Sequence, residues 1–245
     1  MIDFTKGVAL ITGANKGIGF ETARQIGRQG YVVLLGARDS SLGGSAADRL
    51  QAEGIDARFL LLDVTDRTTI YASADQIESS FGKLDILVNN AGTGSPLDGS
   101  VGNANLSEVR RHFEVNFFGV LEVTQALLPL LKEARSARIV NVSSGLGSLA
   151  RNSDPAWEFA AVQMIGYNSS KAALNMATVL LAKELADSGI KVNSVAPGFT
   201  ATDLNGGGEG AQTVEEGAKA SVVAALLPEP GVTGSFLGRE EVEPW

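Results

Sequence analysis

The sequence predicts an α/β fold, a doubly wound parallel sheet in a single domain over residues 1–245. Three observations carry this expectation. Six short apolar runs recur with helical patterns between them, a glycine-rich turn follows the first run, and 245 residues at 44% hydrophobic suffice for one large core. Runs that are apolar throughout, with no alternation, belong to a parallel sheet covered on both faces.

The elements follow in order. "VALIT" at 8–12 is the first strand, and "ITGANKGIGFETA" leads from it into the first helix. Gly13, Gly17 and Gly19 punctuate that turn. Glycines let the backbone approach a pyrophosphate, and the helix start offers free N–H groups, which is the Rossmann-type arrangement; a tight strand-to-helix turn alone would also use them. "YVVLLG" at 31–36 is the second strand. Arg38 just beyond it stands where a cation would meet a 2′-phosphate, and Lys16 in the glycine turn could reach the same group. The alternative is a surface arginine, with Asp39 accepting a ribose hydroxyl. "RFLLLDV" at 58–64 ends in Asp63 and Val64, which could flank an adenine or simply start the next helix. "LDILVNN" at 84–90 runs into Ala91 and Gly92. Amides and a glycine at a strand end suit close packing of backbone against a cofactor, as they suit an Asx turn.

Between 107 and 131, Val109, Phe113, Val120, Val123, Leu127 and Leu131 keep a helical period, and Asn116 falls on the same stripe. A buried amide needs partners; this one is either a structural core asparagine or a group that holds a water or orients a lysine. "RIVNVSS" at 138–144 is the fifth strand, ending in Ser143 and Ser144, and "KVNSVAP" at 191–197 is the sixth. A helix beginning near Met164 carries Tyr167 and Lys171 four residues apart, hence on one face. An isolated pair of this kind is usually solvated. In a cleft, the ammonium would favour the phenolate and lower the tyrosine pKa, making Tyr167 an acid and base for a carbonyl oxygen that a serine hydroxyl holds. The looser segments 93–105, 145–166 and 204–216 each follow a strand, where ligands of such sheets bind.

Composition narrows the partners. A net charge of -8 argues against nucleic acid, and a chain with no cysteine holds neither disulfide nor thiolate metal site. His112, the only histidine, has no ligand cluster around it, so no metal is expected. The first residues do not resemble a signal peptide and no window has about 18 uninterrupted apolar residues, so the expectation is a cytoplasmic protein away from membranes.

"TGANKGIG", "NNAG", Asn116, Ser144, "YNSSK" and "PGFTATD" stand together in one order, and the chain resembles the short-chain dehydrogenase/reductase family along its whole length. The resemblance implies Tyr167 as acid/base, Ser144 positioning the substrate oxygen, Asn116 completing a proton relay, and Lys171 holding the nicotinamide ribose. It also implies a cofactor cradle of Gly13, Asn15, Lys16, Gly17, Ile18, Gly19, Arg38, Asp63, Val64, Asn90, Ala91 and Gly92. Pro197, Gly198, Thr200 and Thr202 match the segment that holds the carboxamide. The subgroup most similar is the NADPH-dependent carbonyl reductases. The implied function is reduction of ketones or aldehydes to alcohols by hydride transfer from NADPH. A non-catalytic NADPH-binding regulator is the rival from another class, and a sugar-nucleotide epimerase is disfavoured by the short chain and the Gly-x-x-x-Gly-x-Gly spacing.

One departure concerns residues 145–166, which form an extra segment before Tyr167. Trp157, Phe159, Val162 and Met164 could fold over the outer face of the following helix, favouring a monomer, and border the substrate entrance. On resemblance alone, Trp245 at the chain end also covers the cleft.

Overall fold

Strand β1 (Val8–Thr12) is buried at every residue and pairs in parallel with two neighbours, β2 (Val32–Ala37) and β4 (Ile86–Asn89). The computed structural model describes residues 6–204, 206–239 and 241–245; the reading of the first five residues lies outside them. β3 (Ala57–Leu61), β5 (Arg138–Val142), β6 (Lys191–Val195) and β7 (Phe236–Leu237) complete a parallel sheet of order β3-β2-β1-β4-β5-β6-β7. The chain winds outward in both directions from the β1/β4 boundary. The crevice at the carboxyl ends of these two strands is therefore the topological switch point, where such sheets take ligands.

Alternate residues of each strand face opposite layers. In β1, Val8 and Leu10 pack with Ile70, Val123, Leu127 and Leu185, which lie on or next to α3 (Arg67–Phe81), α5 (Gly119–Lys132) and α7 (Ile165–Glu184). Ala9 and Ile11 pack on the other side with Phe20, Ala23, Ala46, Leu50 and Ala220, from α1 (Gly17–Gly27), α2 (Ser40–Ala52) and α8 (Val214–Ala225). Both faces are covered, which is why the strands are apolar throughout.

Four of the expected strands run on past the last paired residue. The chain leaves the sheet after Leu61, Asn89, Val142 and Val195, yet Leu62, Ser143 and Ala196 beyond these ends remain buried under the loops they begin. Burial, not pairing, makes those residues apolar or small. β7 is two residues long and carries no periodic signal.

The helical stripe at 107–131 is also divided. α4 (Leu106–Phe113) passes through a π-helical turn at Glu114–Phe118 before α5 begins. This run is long and apolar enough to cross a membrane by length and composition, but here Val123, Leu127 and Leu131 are pressed onto the sheet. A π turn widens the helix for one turn and recurs at functional sites; this one holds Asn116.

Candidate active site

The glycine turn is closely packed against the end of β4. Gly13 and Gly17 have left-handed backbones (φ +64° and +58°), and a Cβ on Gly13 would lie 2.9 Å from Ala91 Cα. A Cβ on Gly19 would strike Asn90 Nδ2 at 2.3 Å. Asn90 in turn donates to the carbonyls of Thr12 (2.8 Å) and Gly13 (3.3 Å), so the end of β4 braces the turn from below. The Thr12 hydroxyl accepts from the amides of Asn90 and Ala91. α1 starts at Gly17 with Asn15, Lys16 and Ile18 around it; Lys16 gives no side-chain cap, and no acidic residue stands in the first turn. An uncapped helix start with no carboxylate in its first turn is the arrangement that favours an anion.

At the end of β2, Arg38 is exposed and makes no ion pair among the described residues. Asp39 is occupied: its carboxylate caps α2 by accepting from the Leu42 amide at 2.9 Å. Arg38 is thus without an ion pair among the described residues, and one oxygen of Asp39 is taken by the cap. Asp63 accepts from the amide and hydroxyl of Thr65 at 2.9 and 2.8 Å, forming a turn, and Val64 packs close to Gly119. Lys16 does not turn toward Arg38. It reaches across the crevice to Asp203 at 2.6 Å, both side chains being well exposed.

The residues expected to react converge from three elements. Tyr167, in the first turn of α7, is buried; Ser144, just beyond β5, accepts from the Leu146 amide at 3.2 Å. Lys171, one turn on, is 4% exposed; its ammonium lies 5.8 Å from the Tyr167 ring centre and donates to the Val142 carbonyl at 2.8 Å. A Cβ on Gly92 would sit 3.4 Å from Asn116 Oδ1 and 3.6 Å from Lys171 Nζ, so the loop after β4 lies close to both side chains. Asn116 accepts from the Thr93 amide (2.8 Å) and donates to the Thr93 carbonyl (3.0 Å) and the Ser170 hydroxyl (3.1 Å). Both its N–H groups are spent on protein, and the amide ties the π turn to β4 and α7.

One expectation is corrected here. Tyr167 does not have its pKa lowered by Lys171: burial raises it above the usual phenol value, and the neighbouring Ser144 side chain is what works against that rise. Lys171 is itself pushed down to about 8 by burial. The ammonium is turned to a backbone carbonyl, with no direct bond to the phenol.

The segment after β6 roofs the crevice. Gly198 has φ +83°, and Gln212 donates to the Pro197 carbonyl and to the Thr200 hydroxyl (3.0 Å). Thr200 is buried under α8, where a Cβ on Gly217 would meet its hydroxyl. Thr202 lies over Gly17, and Leu204 over Gly94, next to the Tyr167 ring. The roof therefore spans from the glycine turn to the phenol.

Residues 7–211 match a family model described as short chain dehydrogenase. The chain belongs to the short chain dehydrogenase family. A short-chain dehydrogenase of Penicillium roqueforti, anuI, is 40% identical over 237 residues, covering 94% of this chain and 92% of that one. Salutaridine reductase of Papaver bracteatum is 34% identical over 301 residues, covering 96% and 94%. That alignment is longer than this chain, so the relative carries residues that this one lacks. The crystal structure of an NADPH-bound carbonyl reductase from chicken fatty liver superposes with a TM-score of 0.84 at 30% identity, covering 98% of this chain and 99% of the other.

In this short chain dehydrogenase the extra segment packs at the crevice mouth. Trp157 lies against Gly145, Trp157 and Phe159 meet edge to face at 5.6 Å, and Phe159 meets Phe199 of the roof at 5.8 Å. It does not cover the outer face of α7, where Met176 and Leu180 stay exposed. Trp245 stacks on Phe236 of β7 at 5.4 Å, and its carbonyl accepts from Ala150, so the chain end docks on α6 (Leu149–Ser153). Sequence reasoning passed over Asp98, Ser170 and Asp203, and weighed His112 only as a metal ligand. A usable signal existed for one of them: no Ser, Thr, Asp or Asn directly precedes the tyrosine helix, so its cap has to come from elsewhere.

Proposed function

We propose that this chain is an NADPH-dependent carbonyl reductase that turns ketones or aldehydes into alcohols. One observation carries the reading: the buried Tyr167 phenol, which the Ser144 side chain pulls toward the phenolate, lies beside Lys171 and below the roof that starts at the glycine turn. Gly13, Asn15, Gly17, Ile18 and Gly19 would hold the pyrophosphate, with Asn90, Ala91 and Gly92 beneath it and Asp63 and Val64 beside the adenine. Lys171 would hold the nicotinamide ribose, and Pro197, Gly198, Thr200 and Thr202 the carboxamide. Arg38, free beside a capping Asp39, would hold the 2′-phosphate, with Lys16 exchanging Asp203 for the same group. NADPH, when bound, supplies the hydride.

The chain's own part is proton transfer and orientation. The Ser144 hydroxyl donates a hydrogen bond to the carbonyl oxygen and sets it against Tyr167. The phenol gives its proton to that oxygen as charge develops there, and the phenolate left behind is stabilised by the Lys171 cation until a proton returns. Asn116, fixing Thr93 and Ser170, keeps the floor of the site in register. A chain that bound NADPH without turnover would need the glycine turn but not this buried phenol and hydroxyl. Trp157, Phe159, Phe199 and Leu204 would form an apolar entrance. The cytoplasmic location expected from the composition is part of the proposal.

The test is the loss of NADPH absorbance with activated ketones, in wild type and Tyr167→Phe. The ring stays and only the proton is lost, so kcat should fall by roughly 10²–10⁴ while NADPH binding stays within a few-fold. More than a tenth of the wild-type rate in the variant would refute the role of Tyr167.

A further inference from the structure

Helix α7 has no cap of its own. Met164 offers no side-chain acceptor, yet the first amides are all bonded: Ile165 to the Gly99 carbonyl at 3.0 Å, Gly166 to Asp98 Oδ1 at 2.8 Å and Tyr167 to Asp98 Oδ2 at 2.7 Å. The cap thus comes from the loop after β4, and it grips the amide of Tyr167 itself. Asp98 is wholly buried. On its other side stands His112 of α4, also wholly buried, with Nδ1 3.5 Å from Asp98 Oδ2. The imidazole meets the Tyr167 ring edge to face, 6.3 Å between centres.

Both imidazole nitrogens are buried without a hydrogen-bond partner among the described residues. Burial pushes the His112 pKa below its usual value, with Asp98 pulling the other way. Even with the Glu108 carbonyl facing one nitrogen, the ring keeps a stranded polar atom and is a poor choice for packing alone, since a phenylalanine would fill the space without one. Its place between the carboxyl group and the phenol gives it another use.

We propose that Asp98 and His112 are positioning residues for Tyr167: the carboxyl group fixes the backbone of the tyrosine, and the imidazole, packed between the carboxyl group and the phenol ring, keeps the two in register. This rests on Tyr167 being the proton donor. Neither side chain belongs to the cradle of the glycine turn, so cofactor affinity is the internal control.

The experiment measures kcat, KM for a ketone, NADPH affinity by fluorescence titration and the unfolding temperature for Asp98→Asn, His112→Phe and Tyr167→Phe. Asp98→Asn keeps the shape but turns a donor toward one of the two amides. Misplacing a reacting group by about 1 Å costs roughly 10²-fold, so kcat should fall about 10- to 100-fold with NADPH affinity within threefold of wild type. His112→Phe should keep or raise the unfolding temperature and still lower kcat several-fold, a combination that a packing role does not produce. His112→Phe decides alone if Asp98→Asn does not fold. The proposal is overturned if the variants that fold keep kcat within twofold of wild type, or if His112→Phe loses stability and not rate. An inactive Tyr167→Phe beside such variants would leave the reductase reading standing and remove only the positioning role. An active Tyr167→Phe would remove both.

Discussion

Tyr167 and Lys171 show how burial sets the chemistry of single residues. The phenol is raised by desolvation and the ammonium lowered by it, so each neutral form is favoured before any ligand enters. For Lys171 this is also a statement about stability. Its pKa falls from 10.5 in the unfolded chain to about 8 in the folded one, so burying the charged form costs about 3 kcal/mol. That cost is present in full below pH 8 and is relieved as pH rises from 8 to 10.5, because over that window the unfolded chain binds more protons. In Lys171→Met the side chain does not titrate. The unfolding temperature of the variant minus that of the wild type should therefore fall by several degrees between pH 7 and pH 10.5, measured without cofactor. A difference independent of pH would mean that Lys171 is solvated in the folded protein.

Helix α7 brings the site together, and it does so at close quarters. A Cβ on Gly147 would lie 2.7 Å from Lys171 Cβ, and one on Gly166 would lie 2.8 Å from both His112 Nδ1 and Val109 Cα and 2.9 Å from Asp98 Oδ1. Gly166→Ala should cost about 1–3 kcal/mol from overpacking and lower the unfolding temperature by several degrees. Gly102→Ala, with no atom within 4 Å of the new methyl, is the control. Equal unfolding temperatures for the two would show that α4 can move away from α7. What the sequence revealed at this scale was what is local. The i,i+4 spacing of Tyr167 and Lys171, the glycine turn and the strand-end serines are each written within a few residues. The π turn was hidden inside one continuous apolar period, since a single widened turn barely disturbs the stripe. The cap was hidden because Asp98 and Tyr167 are 69 residues apart and meet only when the loop after β4 folds onto α7.

At the scale of the whole molecule, the switch point gives the crevice and the loops decide what enters it. The sequence identified the sheet because buried parallel strands must be apolar. It did not fix the path of the extra segment, because Trp157 and Phe159 can bury their rings against either α7 or the roof, and the nearness of Gly145 and Phe199 selects the second. The monomer expected from the first path therefore needs another basis. The chain end supplies one: Arg151 holds Glu243 at 2.5 Å and Glu241 at 3.5 Å, and Trp245 closes on Phe236, so the tail is consumed within its own chain. On the outer face of α7 two large apolar side chains are exposed, Met176 and Leu180. We accordingly propose a monomer of 25.5 kDa. Light scattering at micromolar concentration should return that mass, and Met176→Lys with Leu180→Lys should leave it unchanged. A dimer in the wild type that the double variant dissolves would show instead that the outer face of α7 is the subunit contact.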